Sequence, residues 1–333
     1  MKKVLSIFSG MLIILCIFIE YAYYTANKVI IKERSTNIVI SEDDDIATKL
    51  VQANLTDNVL VTRCILFYMS QFKNMKYNAG EYKIPNKYTL LDIVNKMDQH
   101  EIIIHNIIIY RGSNICEIKD RINARSDLSG EITIPFNEGD IIAGKYEFIH
   151  PTSKNELILK MLRYSKTAIE NIWKQRSKFC AVSSIQDLKI LASVIAKEAN
   201  YEPSEIQLIS GVFRNRLKIG MPLQADSTLV YYRKIVDNSN RMTYRQFMAT
   251  DHPYNTYRTR GLPPTPISTP SREELMAVAM PVETEYLYFQ HDIRNGDVFF
   301  SKDFSRHLKI QKMLMKMKEG NKQLKNMTLK TTS

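Results

Sequence analysis

Residues 190–203 read ILASVIAKEANYEP. Leu188, Leu191, Val194 and Ile195 recur at helical spacing and define an apolar stripe, which arrives at Glu198 three residues further on. A carboxylate therefore stands where a helix faces a core. Such a group needs compensation, from hydrogen bonds or from a cation such as Arg214 or Arg216. The same burial also has a chemical reading. A carboxyl removed from water has its charged form disfavoured, so its pKa rises. A carboxylic acid that stays protonated near neutral pH is what glycoside cleavage needs at the leaving oxygen. On these residues alone both readings stand.

Outward from this stretch the pattern is helical. NELILKMLRYSKTAIENIWKQR (155–176) and SSIQDLKILASVIAKEA (183–199) read as consecutive helices, the second with Ser183 or Ser184 as N-cap. SEIQLISGVFRNRLKIGM (204–221) reads as a third, stopped by Gly220. A loop-rich stretch then runs from MPLQADST (221–228) through HPYNTYRTRGLPPTPISTP (252–270), a composition that often carries function on a rigid scaffold. SREELMAVAM (271–280) resumes the helix, YLYFQ and DVFFS predict a strand pair, and the lysine-rich tail from Lys309 predicts an exposed helix.

Upstream, IVISEDDDIATKLVQANL (38–55), EYKIPNKYTLLDIVNKM (81–97) and IIIYRGSNICEIKDRINA (107–124) each run from a β-branched strand through a polar turn into an amphipathic helix. Units this short pack together as small α+β modules. They contain no convergent set of histidines, cysteines or carboxylates, so a spacer or binding role is expected of residues 38–150.

At the N-terminus, Lys2 and Lys3 precede VLSIFSGMLIILCIFI, followed by Glu20 and the tyrosines 21, 23 and 24. Extended through YAYY, the run approaches the roughly 20 residues that span a bilayer. The lysines favour a cytoplasmic N-terminus, and the tyrosines suit the far interface. Bulky tyrosines stand where a signal-peptide cleavage site needs small residues, so a single-span anchor is expected.

The net charge of +11 favours an acidic partner: nucleic acid, an anionic membrane or an envelope polymer. The lysines are scattered rather than clustered with aromatics, so no nucleic-acid partner is expected. Cys16 lies in the apolar run, and Cys64, Cys116 and Cys180 have no metal-like spacing. The 6 histidines form no H-x-x-x-H or H-x-x-E-H arrangement, so neither metal nor cofactor is expected.

The stretch LASVIAKEANYEPSEIQLISGVFRNRLKIGMPLQADSTLVYY (191–232) resembles the central motif of the MltG (YceG-like) endolytic murein transglycosylases. YNTYRTRGLPPTPISTP (254–270), YLYFQHD (286–292) and VFFSKDFSRH (298–307) are similar to that family's later motifs, in order. EGDIIAGKYEF (138–148) and NAGEYKIP (78–85) resemble two earlier elements.

The resemblance implies an α+β protein with an N-terminal membrane helix, small LysM-like modules and a mainly helical catalytic domain with long loops and a small β element. Its implied segments are a tail and anchor at 1–26, a LysM-like module at 27–100, a second module or linker at 101–150, a catalytic domain at 151–320 and a basic tail at 321–333. It implies endolytic cleavage between N-acetylmuramic acid and N-acetylglucosamine in peptidoglycan strands, leaving 1,6-anhydromuramyl ends and terminating strand elongation. The setting would be the bacterial cytoplasmic membrane, with the catalytic domain outside and cell-wall synthesis proteins as partners.

The family's catalytic glutamate is the second of an E-x-E pair, which by the match is Glu198, with Ala196 in the first position. Thr265 stands where the family has glycine, and Asp297 where it has Gly-His. Gln224, Asp226, Tyr254, Asn255 and Tyr257 are candidate sugar contacts, since amides and hydroxyls suit sugar hydroxyls and tyrosine rings suit pyranose faces. Asp226 equally fits a cap for a helix starting near Thr228, and Asn255 fits a turn. Glu138 is a further candidate for the cleft. A hydrolase using Asp226 or Glu138 as second carboxylate and an inactive glycan-binding scaffold are the rival readings.

Overall fold

The computed structural model describes residues 2–235 and 244–331; Met1 and residues 332–333 of the expected basic tail lie outside them. In chain order the elements are α1 (Lys2–Asn27), β1 (Ile30–Ile31), β2 (Thr36–Ile40), α2 (Ile46–Gln52), α3 (Val59–Lys73), β3 (Gly80–Ile84), β4 (Lys87–Tyr88), α4 (Leu90–Asp98), β5 (Ile104–Ile109), α5 (Ile115–Asn123), β6 (Leu128–Ser129), β7 (Gly144–Ile149) and β8 (Thr152–Ser153). They continue with α6 (Lys154–Lys174), α7 (Ile185–Glu198), α8 (Pro203–Lys218), α9 (Asp226–Ile235), α10 (Tyr244–Ala249), α11 (Arg272–Ala279), β9 (Tyr288–His291), β10 (Val298–Ser301) and α12 (Phe304–Thr331). The architecture is mixed α+β, as expected, and the three strand–turn–helix units are realised as β2–α2, β3–β4–α4 and β5–α5.

The chain divides into two compact units, neither of them one continuous stretch. The first comprises residues 1–107, 122–132 and 147–157. In it β2 and β3 pair antiparallel from Thr36 with Ile84 to Ile40 with Gly80. Alternating side chains of β2 and β3 turn inward with Leu50, Ile65, Leu90, Ile93 and Val94 to form one core. Thr89 and Asp92 close a capping box at the start of α4, satisfying amides that the first turn leaves bare. In α1, residues 7–27 are long and apolar enough to cross a membrane. The helix α3 was not anticipated; Asn58 caps it by accepting from the Val61 amide.

The second unit comprises residues 108–121, 133–146 and 158–333. Its core packs α7 against α8, α9 and α11, with Leu188, Leu191, Val194 and Ile195 buried as the stripe required. Ser184 caps α7 through the Asp187 amide, and Gly220, with φ of +67°, stops the chain just past α8. The predicted strand pair is present, with Val298 opposite His291 and Ser301 opposite Tyr288. The lysine-rich tail continues α12, which starts at Phe304, five residues before Lys309.

Candidate active site

Glu198 is the last residue of α7, and the chain turns to extended backbone at Ala199. Its Oε1 accepts a hydrogen bond of 3.2 Å from the Ser227 amide, in the first turn of α9. A helix N-terminus has bare amides that suit a carboxylate. Burial nonetheless dominates and pushes the Glu198 carboxyl above its ordinary value. Donation from Ser227 offsets part of that shift, while the nearby Asp226 charge adds to it. Ser227 Oγ is buried without a hydrogen bond of good geometry among the described residues.

The expected compensating cations are not ion-paired with Glu198. Arg216 donates to the Leu287 carbonyl at 2.7 Å and the Leu223 carbonyl at 2.6 Å, and Arg214 donates to the Phe179 carbonyl at 3.0 Å. Both guanidinium groups are committed to main-chain oxygens that loops leave unsatisfied. Among the described residues Glu198, half-buried, is thus an acid held by Ser227 rather than a member of a salt bridge.

Two stretches of the loop region meet beside it. The Gln224 amide donates to the Thr256 carbonyl and the Ala225 amide to Thr256 Oγ1, at 2.9 and 3.0 Å. Gln224 itself is exposed with φ of +51°. The helix after it starts at Asp226, not near Thr228, so Asp226 is a first-turn residue instead of a cap for a later start. Its Oδ1 accepts from Tyr257 Oη at 2.6 Å. Asn255 is fully buried and shapes the turn: its Nδ2 donates to the Thr250 and Met248 carbonyls, and its Oδ1 accepts from the Tyr257 amide. That amide thereby fixes the backbone carrying Tyr254 and Tyr257.

A second carboxyl belongs to the same unit. Glu138 is 8% exposed; its Oε1 accepts from the Ile115 amide at the start of α5, and its Oε2 is buried with no partner among the described residues. Burial pushes its pKa up to about 7, against the pull of the Ile115 amide. The following Gly139 has φ of +74°, and a Cβ there would lie 2.8 Å from Pro266. This close approach seats the Glu138 turn against the loop holding Thr265, whose hydroxyl bonds Tyr254 Oη at 2.7 Å. Tyr231, whose ring centroid lies 5.5 Å from that of Tyr254, is pushed up to about 12 by burial first and then by the Glu138 charge. Ser227 and Tyr231 are one turn apart on α9, which therefore links the two carboxyl clusters. Beside them the Tyr254 ring stacks with His252 and Tyr232, at 5.7 and 6.3 Å, along a cavity of about 460 Å³ lined in part by His252 and Pro264.

Sequence reading missed Arg111. Its guanidinium donates to the carbonyls of Asn200, Ala199 and Ala196 at 2.7, 3.1 and 3.3 Å, closing the C-terminal end of α7. Its Nε lies 2.9 Å from Glu274 Oε1, a pair 8% and 0% exposed. Ala196 contributes its carbonyl to this cap.

Residues 39–313 match the model of the YceG-like family. The chain belongs to the YceG-like family. Among curated relatives, this YceG-like chain is 35% identical over 182 residues to an endolytic murein transglycosylase of Bacillus subtilis, covering 54% of this chain and 49% of that protein. It is 28% identical over 173 residues to an endolytic murein transglycosylase of Streptococcus pneumoniae, covering 51% and 31% respectively. The YceG-like chain thus spans about half the length, or less, of these relatives. A crystal structure of a YceG-like protein from Listeria monocytogenes aligns with 84% of this chain and all of that one, at 24% identity and a TM-score of 0.49.

Proposed function

We propose that the chain is an endolytic lytic transglycosylase. It cleaves the bond between N-acetylmuramic acid and N-acetylglucosamine within peptidoglycan strands, ending their elongation. One observation carries the reading: Glu198 is a half-buried acid, held by Ser227, pushed upward by burial and without a salt bridge among the described residues, in a loop-rich site of a family member. The names of the two relatives support the same chemistry.

Protonated Glu198 gives its proton to the glycosidic oxygen while positive charge develops at the muramyl C1. The C6 hydroxyl of that sugar attacks C1 and passes its proton to the Glu198 carboxylate. The 1,6-anhydro ring closes, the acid is regenerated and no water is consumed. Retaining hydrolysis requires a second carboxylate as nucleophile; an intramolecular hydroxyl replaces it and gains from proximity. Tyr254 and Tyr257 offer sugar-facing rings, Asn255 fixes their loop, and Gln224, Asp226 and Glu138 complete the cleft. The loss of acid at Ala196 leaves this proton path intact.

The segments at 1–26, 27–100 and 321–333 serve as anchor, LysM-like module and basic tail; 151–320 forms the body of the catalytic domain, and the second module at 101–150 lends it residues 108–121 and 133–146, which belong to the same compact unit. The first 26 residues hold the protein in the cytoplasmic membrane with the rest outside, where cell-wall synthesis proteins work. The apolar length of α1, the flanking lysines and the aromatic exit support this placement.

The test is incubation of the detergent-solubilised chain with purified sacculi. Internal cuts ending in anhydromuramyl groups are the expected products. Reducing ends, heavier by one water, would instead mark hydrolysis, the reading favoured by the charge of Asp226 beside Glu198.

Glu138 supplies a separate prediction. The folded state holds a proton up to about pH 7 that an ordinary glutamate releases near 4.5. Its share of stability is intact below the lower value and is lost as pH rises through the higher one, roughly 3 kcal/mol in all. Glu138→Gln should flatten that decline, leaving the variant more stable than wild type at pH 8 and about equal at pH 4. Thermal unfolding across this range checks it, and parallel curves for the two proteins would refute a buried neutral acid.

A further inference from the structure

We propose that the exposed face of α3 is a lipid-docking surface that seats the first unit on the bilayer beside its own anchor, an inference that rests on the membrane-anchor reading above. The helix carries large apolar residues on both sides, and Arg63 at the edge of the outer one is paired with Asp45. Val61, Ile65 and Leu66 are buried in the core, yet Leu60, Phe67, Tyr68 and Phe72 are 62, 64, 50 and 72% exposed. At 100° per residue these four, with Cys64 and Gln71 between them, form one stripe about 18 Å long. A surface helix is ordinarily polar on its outer face, and one that is apolar all round lies in a core or in lipid. The rings of Tyr68 and Phe72 stack at 5.2 Å, extending an aromatic surface of the kind that favours the membrane interface.

The anchor places lipid at this surface. α1 packs on α3 within the same unit; Phe18 and Ala22 rest against that unit's core, and Ala26 is part of it. Residues 4–19, between Lys3 and Glu20, are the uncharged part of the span. They rise about 24 Å as a helix, already less than the ~30 Å of hydrocarbon to be crossed. No length is left over for Phe18 to stand clear of the membrane. The protein surface that touches Phe18 therefore reaches hydrocarbon depth, and the neighbouring face of α3 meets lipid within the ~5–10 Å that interfacial helices penetrate. Lys73 and Lys76, at the end of α3 and just beyond it, supply cations for anionic headgroups.

The experiment uses the full chain reconstituted into phosphatidylethanolamine–phosphatidylglycerol vesicles. The photocrosslinker p-benzoylphenylalanine replaces Leu12, Phe67, Phe72 or, for background, the exposed Ile219 of the second unit. After irradiation, lipid adducts are counted by mass. Positions 67 and 72 should give adducts at a level comparable to position 12 and at least ~5-fold above position 219. Lipid adducts at 12 but only background at 67 and 72 would overturn the docking surface while leaving the anchor standing. Absence of adducts at 12 would remove the anchor and the docking surface together. A crosslinked dimer at 67 or 72, or a protein adduct when the same variants are irradiated in cells, would reassign the face to a second copy or a protein partner.

Discussion

Glu198→Gln is expected to remove nearly all anhydro-product formation while leaving the fold intact. The amide keeps the size of the side chain, and its carbonyl oxygen can still accept from the Ser227 amide. It can neither deliver nor take up the proton. Loss of general acid–base help alone is worth roughly 10²–10⁴-fold, and more if the carboxylate also stabilises charge at C1. The sign of the pH dependence follows from the raised pKa of Glu198. Wild-type activity should decline as pH climbs through that raised value, because the leaving oxygen then loses its proton donor. Stability should move the other way for the variant: a burial-raised carboxyl loses stability as pH rises, and glutamine has no such loss. Product analysis beside thermal unfolding decides it. A folded Glu198→Gln protein that releases anhydromuropeptides at near-normal rate would sink the assignment.

The helix that carries Glu198 was legible because it is strongly periodic. Leu188, Leu191, Val194 and Ile195 are buried as their spacing demands, and Ser184 caps where the pattern begins. The β9–β10 pair and α11 were equally plain, since two short aromatic-rich runs and a Ser–x–x–Glu start are local signals. What escaped is what depends on distant contacts. α3 carries Leu60, Phe67, Tyr68 and Phe72 on its outer side as well as Val61, Ile65 and Leu66 on its inner one, so its period gave little amphipathic contrast to detect. Residues 108–121 and 133–146 carry Arg111 and Glu138, yet they join the unit of α7 only through folding. Arg111 meets carbonyls 85 to 89 positions away, and nothing in the tripeptide Arg–Gly–Ser announces that. Ser227 had a usable cue: it follows Asp226 at a helix start, where bare amides collect carboxylates.

Arg111→Ala is expected to be both strongly destabilising and catalytically damaging, for two separable reasons. The first is the pair itself. Glu274 is fully buried, its Oε2 already committed to the Ser271 amide that starts α11, and its Oε1 faces Arg111. Removing one partner leaves an uncompensated buried charge, a loss of about 3–5 kcal/mol, or on the order of 10 °C in unfolding temperature. The second reason is the cap. The last turn of a helix leaves carbonyls unsatisfied and carries partial negative charge. At the end of α7 the guanidinium bonds the carbonyls of Ala196, Ala199 and Asn200, which bracket Glu198. Without it the turn carrying the acid can fray, so turnover falls with little change in KM. Replacing both charges, as Arg111→Met with Glu274→Met, separates the effects. The double variant removes the buried charge on each side and should regain most of the unfolding temperature, but the carbonyls around Glu198 stay uncapped and product formation should remain at least about 10-fold low. Recovery of stability and turnover together would mean that Arg111 only neutralises Glu274 and does not position the acid.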